Sequence, residues 1–204
     1  MTKIKICGLQ RMEDITYVNK YLPEYVGFVF ANSKRQVHDM QAKQMKAALE
    51  EDIQAVGVFV NEPIGHIIYL CKEHIIDVVQ LHGDEDEIYI NKLRTLIQNP
   101  IIKAIRVQTT EQIEEMQGLP CEYLLLDTFV KNLYGGSGIT FERDLIPKKC
   151  KPFFLAGGLN KENIIEAIRD CEPFCVDFSS CVEIDGLKNE YKIKEIVGLI
   201  RNNT

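Results

Sequence analysis

Two residues in this chain are of a type that moves protons, and each stands where its neighbours give it no obvious packing role. Cys7 ends the alternating run Lys3-Ile4-Lys5-Ile6 and is followed by Gly8. Alternation in a strand puts Lys3, Lys5 and Cys7 on one face and Ile4 and Ile6 on the other. A thiol at a strand end beside a glycine is open to a ligand, and a buried packing cysteine is the competing reading. Asp127 closes the run Leu124-Leu125-Leu126, where a carboxylate needs a partner or a task. Its plainer role would be turn formation near Thr128. Apolar surroundings raise a carboxyl pKa, which suits a proton donor near neutral pH. A thiol base and a carboxylic acid at one strand-end surface would shuttle protons across a bound sugar, which is isomerase chemistry. Lys5, below Cys7 on the same face, needs an acid, and Asp177 on a neighbouring strand is the expected partner. Lys5 is also expected to favour the Cys7 thiolate.

Three later runs each end in small residues that leave backbone amides bare. Gly135-Gly136-Ser137-Gly138 follows the Asp127 strand, Gly157-Gly158 follows Phe153-Phe154-Leu155, and Ser179-Ser180 follows Phe174 to Phe178. Successive free amides cradle an anion, so Gly136, Ser137, Gly138, Gly157, Gly158, Ser179 and Ser180 are expected to bind phosphate. Arg35, in Asn32-Ser33-Lys34-Arg35, offers a guanidinium for a ligand carboxylate, against the reading of a solvated loop residue. His82 ends Gln80-Leu81-His82 and reads either as a substrate contact or as a structural hydrogen bonder. The other cysteines read as packing or surface thiols, and the four histidines lack metal-ligand spacing, so no metal is expected.

The elements that must position these groups show in the apolar pattern. Eight short runs recur: Ile4–Ile6, Val26–Phe30, Ala55–Val60, Ile76–Leu81, Ile101–Ile105, Tyr123–Leu126, Pro152–Leu155 and Phe174–Phe178. Helical periodicity lies between most of them, with Asn61 and Asn160 as expected helix starts. The stretch from Thr140 to Lys149 is too short and mixed for a long helix. Eight βα units predict a single-domain (β/α)8 barrel over residues 1–204, with a doubly wound open sheet as the alternative. Barrel active sites lie at the C-terminal ends of strands, where these residues fall. The net charge of −6 argues against nucleic acid or an anionic membrane as partner, so attraction for an anionic ligand must be local. Seven scattered cysteines and no run approaching the ~20 apolar residues of a membrane span predict a reduced, cytoplasmic protein. A monomer is expected in preference to a homodimer.

Taken in order, Lys5-Ile6-Cys7-Gly8-Leu9, Gly27-Phe28-Val29-Phe30 with Ser33-Lys34-Arg35, Gly57 to Asn61 and Val79 to Gly83 resemble the phosphoribosylanthranilate isomerases of tryptophan biosynthesis. Leu126-Asp127 with Gly135 to Gly138, Leu155 to Leu159 and Val176 to Ser180 through Val182-Glu183 carry the same resemblance. It implies a cofactor-free Amadori rearrangement of N-(5-phosphoribosyl)anthranilate. Asp127 would be the general acid, Cys7 the general base and Arg35 the holder of the anthranilate carboxylate. The small-residue clusters would hold phosphate, with His82 and Asp177 as further substrate contacts. Cys181 stands where the family usually has glycine, Ser137 where threonine is common and Lys34 where proline is common; effects on affinity are expected. Indole-glycerol-phosphate synthase would need a strand-end lysine, and the histidine-pathway isomerase an aspartate on strand one. Cys7 disfavours both. A phosphosugar-binding protein that had lost catalysis would not need to keep Cys7 and Asp127.

Overall fold

The computed structural model describes residues 1–128 and 143–203. The runs seen in the sequence become β1 (Lys3–Cys7), β2 (Tyr25–Val29), β3 (Gln54–Phe59), β4 (Val78–Leu81), β5 (Ile101–Val107), β6 (Tyr123–Thr128), β7 (Phe153–Leu155) and β8 (Cys175–Phe178). They pair in order, all parallel, and β8 returns to β1, so the sheet is a closed barrel and not an open doubly wound sheet. Around it run α1 (Met12–Tyr21), α2 (Asp39–Ala47), α3 (Ile64–Lys72), α4 (Glu87–Arg94), α5 (Thr110–Met116), α6 (Ile164–Cys171) and α7 (Glu190–Arg201). Between β6 and β7 the described residues hold a single 3-10 turn, Arg143–Leu145, in line with the mixed sequence there. A short antiparallel hairpin, β9 (Glu183–Ile184) and β10 (Leu187–Lys188), precedes α7 and was not foreseen. Nor was α5, whose one buried apolar side chain, Ile113, leaves too little periodicity to read.

Alternation along each strand divides the core in two. Ile4, Ile6, Val26, Phe28, Leu124 and Leu126 face outward into a continuous layer shared with helix residues such as Ile15, Val18, Ile193 and Ile196. Tyr25, Val56, Val78, Ile102, Leu125, Phe154 and Cys175 face inward and fill the lower barrel. Aromatic rings close that floor: Tyr25 meets Phe154 edge-on at 5.3 Å, and Tyr123 stacks on Phe174 at 4.8 Å. The Lys3 ammonium lies 4.7 Å from the Phe174 ring centre.

Local chemistry sets the helix starts. Asp86, Thr109 and Asn189 each accept from the amide three residues on, capping α4, α5 and α7. The two foreseen caps differ. Asn61 does not cap α3, which begins after Pro63; it takes a left-handed φ of 52° and its side chain accepts from the Asp84 amide at 2.9 Å. Asn160 instead organises the turn before α6, accepting from the Glu162 amide at 2.9 Å, while Asn163 holds the cap position. A buried clip ties the β3–α3 and β4–α4 loops. Glu85 accepts from the Asn61 amide at 2.8 Å, the Gly83 amide at 3.0 Å and the Lys103 ammonium at 2.8 Å. Removing one partner of a buried ion pair strands the other charge. Glu85→Ala is therefore expected to cost about 3–5 kcal/mol of stability, read as a lowered urea midpoint, with the loss at the lower end if Lys103 reaches water.

Candidate active site

A cavity of about 850 Å³ opens over the C-terminal ends of the strands. Cys7, Arg35, His82, Asp127, Gly157, Gly158, Asp177, Ser179 and Ser180 all line it. The remaining foreseen phosphate residues, Gly136, Ser137 and Gly138, lie outside the described residues. The fold thus brings together residues separated by more than 170 positions of sequence.

Cys7 reaches the cavity because β2 makes room for it. Gly27 is its register partner, and a Cβ at Gly27 would lie 2.6 Å from the Cys7 sulfur. Below it, fully buried Lys5 donates to Asp177 Oδ2 at 2.9 Å across the β1–β8 seam. Burial works against the Lys5 charge, but Asp177 and the Cys7 sulfur together more than offset it and hold the ammonium above its ordinary pKa. The expected help from Lys5 to the Cys7 thiolate is present in sign but not in outcome. Burial pushes the thiol up, Lys5 and Lys188 pull it down, Asp177 adds to the rise, and burial wins. The free protein therefore holds a thiol that ionises late and, once ionised, is a stronger base than an exposed cysteine.

Asp127 sits at the end of β6 and is buried. Its Oδ2 lies 3.5 Å from His82 Nε2, and His82 Nδ1 lies 2.8 Å from Gln80 Nε2. The His82 ring thus stands between Gln80 on its Nδ1 side and Asp127 on its Nε2 side. Gln80 had not been picked out as a site residue. Its signal is an amide inside the apolar strand Val78-Val79-Gln80-Leu81, on the face that points into the barrel. Two buried acceptors on the cavity wall, Gln80 Oε1 and Asp177 Oδ1, have no hydrogen-bond partner.

Arg35 grips a carboxylate, but one supplied by the protein. Its Nε and Nη2 donate to Glu183 Oε1 and Oε2 at 2.7 and 2.8 Å. Glu183 and its second partner Lys188 are both buried; Glu183 ends a stretch that carries the family resemblance but was given no site role, and Lys188 did not stand out. Burial would raise the Glu183 carboxyl, yet Arg35 and Lys188 together hold it below its ordinary pKa. Also on the cavity wall, Gly157 and Gly158 take left-handed φ values of 79° and 65°, a conformation that suits glycine. The Ser179 hydroxyl donates to the Cys7 carbonyl at 3.2 Å, joining the β8 loop to the thiol's own backbone. Cys181 also lines the cavity, within the 3-10 turn Ser180–Val182, and burial pushes its thiol up to about 11. Among the described residues, no cluster of three or more His, Cys, Asp or Glu is arranged to hold a metal ion.

A closed βα barrel with a thiol, a carboxylate and glycine- and serine-rich turns at its strand ends belongs to the barrel enzymes that act on small phosphorylated molecules. Comparison with known proteins narrows this. The family model described as N-(5'phosphoribosyl)anthranilate (PRA) isomerase matches residues 4–198. An N-(5'-phosphoribosyl)anthranilate isomerase from Endomicrobium trichonymphae is 47% identical over 202 residues, covering 99% of this chain and 100% of the relative. The crystal structure of phosphoribosyl anthranilate isomerase from Thermotoga maritima superposes with a TM-score of 0.88 at 32% identity, covering 99% of this chain and 100% of that one. A further phosphoribosyl anthranilate isomerase, solved in complex with reduced 1-(o-carboxyphenylamino)-1-deoxyribulose 5-phosphate, superposes with a TM-score of 0.82 at 32% identity, with coverage of 99% and 100%. The chain belongs to the phosphoribosylanthranilate isomerase family.

The electrostatics of the thiol are open to direct titration. The alkylation rate of Cys7, followed at its own peptide by mass spectrometry, is expected to rise with a midpoint above the ordinary thiol value of about 8.5. Lys5→Met is expected to move the midpoint higher, because it removes the nearest cation and leaves Asp177 unopposed. An unchanged midpoint would show that Lys5 has no electrostatic hold on the thiol.

Proposed function

We propose that this chain, one barrel domain over residues 1–204, isomerises N-(5-phosphoribosyl)anthranilate to 1-(o-carboxyphenylamino)-1-deoxyribulose 5-phosphate in tryptophan biosynthesis. Asp127 is the general acid and Cys7 the general base. Asp127 gives its proton to the furanose ring oxygen as the C1–O bond breaks, and the nitrogen lone pair closes a C1=N iminium. The iminium acidifies the C2 proton, so a thiolate suffices as base. Cys7 takes that proton, and the freed electron pair forms the C1=C2 bond of an enolamine while nitrogen recovers its lone pair. Tautomerisation moves the enol proton to C1 and leaves a ketone at C2. The proton given by Asp127 and the one taken by Cys7 cancel within the substrate, and return of a proton from Cys7 to Asp127 by way of solvent resets both groups, so the step calls for no cofactor.

The observation that carries this reading is one cavity holding both groups together with Arg35, Gly157, Gly158, Ser179 and Ser180. Arg35 holds the anthranilate carboxylate. Gly136, Ser137, Gly138, Gly157, Gly158, Ser179 and Ser180 hold the phosphate. His82 faces Asp127 and supports the carboxylate left when the proton departs. Asp177 and Gln80 line the same cavity, and their polar side chains suit the sugar hydroxyls. No helix among the described residues is long and apolar enough to cross a membrane, which agrees with a cytoplasmic setting.

A steady-state assay on freshly generated phosphoribosylanthranilate tests the reading. Cys7→Ala and Asp127→Asn are each expected to lower kcat by roughly 10²–10⁴-fold, as loss of a general acid or base does. A parent protein that binds the phosphosugar without turning it over would overturn the assignment.

A further inference from the structure

Arg35 and Glu183 are 148 residues apart, on the β2–α2 loop and the β9 hairpin, and meet in a two-point contact. That contact occupies the Nε/Nη2 edge of the guanidinium. A guanidinium has a second such edge, formed by Nη1 and the other Nη2 hydrogen, with the same fork geometry. Arg35 lines the cavity and Glu183 does not. Two further features restrain the pair. Gly8, with φ of 84°, lies under the Arg35 side chain so closely that a Cβ there would sit 2.5 Å from Cδ. Lys188 donates to Glu183 Oε1 at 2.5 Å and to the Ser179 carbonyl at 3.0 Å, while Lys192 donates to the Glu183 carbonyl at 2.8 Å. The charges matter as much as the geometry. Arg35 and Glu183 alone would sum to zero and attract no anion, whereas adding Lys188 gives the buried cluster a net charge of +1.

We propose that Glu183, held by Lys188, is a positioning residue for Arg35: it turns the outer edge of the guanidinium toward the carboxylate of the substrate's aromatic ring and never touches substrate itself. The proposal rests on the reading that Arg35 binds that carboxylate. Through Lys188 the same cluster reaches the backbone of Ser179 in the phosphate loop. The two anionic ends of the substrate are thereby set at a fixed spacing around the reacting sugar.

The experiment compares two substrates, phosphoribosylanthranilate and the analogue without a carboxylate, made by condensing aniline with ribose 5-phosphate. In the parent protein KM should be higher for the aniline compound. If it is not, the role of Arg35 fails and the proposal with it. Where that arm succeeds, Glu183→Gln is expected to raise KM for the anthranilate substrate by roughly 10- to 100-fold, the scale of a misdirected positioning contact. Its kcat should stay within about threefold, and KM for the aniline compound should not move. Glu183→Asp should recover part of the loss, and in an Arg35→Ala background Glu183→Gln should add nothing. Lys188→Met, which leaves a neutral pair and also frees the Ser179 carbonyl, should raise KM for both substrates but more for the anthranilate one, and serves if Glu183→Gln does not fold. Equal losses on both substrates, or none on either, would overturn the positioning role.

Discussion

The Lys5–Asp177 ion pair lies at the seam where the first strand meets the last, and the site is organised around it. Neither group can stay charged in the barrel interior alone, because taking an ammonium or a carboxylate out of water costs several kcal/mol per ion. Each therefore holds the other in place, and together they hold the register of β1 on β8. Strand alternation then leaves no freedom above the pair: with Lys5 inside, Cys7 is inside as well, one step nearer the mouth. A slip of one residue would turn Ile4 and Ile6 into the barrel and both functional groups out of it. The pair also sets the field at the thiol, with Lys5 and Asp177 pulling its ionisation in opposite directions while burial decides the balance.

Above this level the barrel is polar, and below it is dry. The aromatic floor of Tyr25, Tyr123, Phe154 and Phe174 excludes water from beneath the charges, so each electrostatic contact in the mouth acts in a medium less screening than water. That division reconciles a protein of net charge −6 with an anionic ligand. The net charge offers an anion no general attraction, and on the proposed reading the binding field is local, built from loop amides and from the Arg35–Glu183–Lys188 cluster. The cluster's excess charge of +1 exists only because half-buried Arg35 and buried Glu183 and Lys188 converge from two loops.

The loops are braced as firmly as the strands. Glu85 and Lys103 lock the turn that carries His82, Ser179 is fastened to the Cys7 carbonyl, and the β9 hairpin brings Glu183 to Arg35. These contacts let short connections of mixed sequence act as rigid mounts for side chains that must meet one small molecule.

Much of this was open to reading in the sequence because it depends on local periodicity. Strand alternation placed Cys7 and Lys5 on one face, the repeat of apolar runs gave eight units, and the small residues after β7 and β8 were placed at strand ends, where Gly157, Gly158, Ser179 and Ser180 line the cavity. The pairing of Lys5 with Asp177 followed as well, since a closed barrel makes the first and last strands neighbours. What the sequence could not carry was contact between loops. Lys188, Glu85 and Lys103 look like ordinary surface charges in a linear reading, Glu183 shows only as the end of a resembling stretch, and only the tertiary fold buries them against partners up to 148 residues away. Asn61 looked like a helix cap until its neighbours drew it into the Asp84 loop. The sign of the Lys5 effect on Cys7 was readable from residue types, but the net result was not. That result depends on how much water the folded barrel removes from the thiol, and desolvation is a property of the whole packed structure.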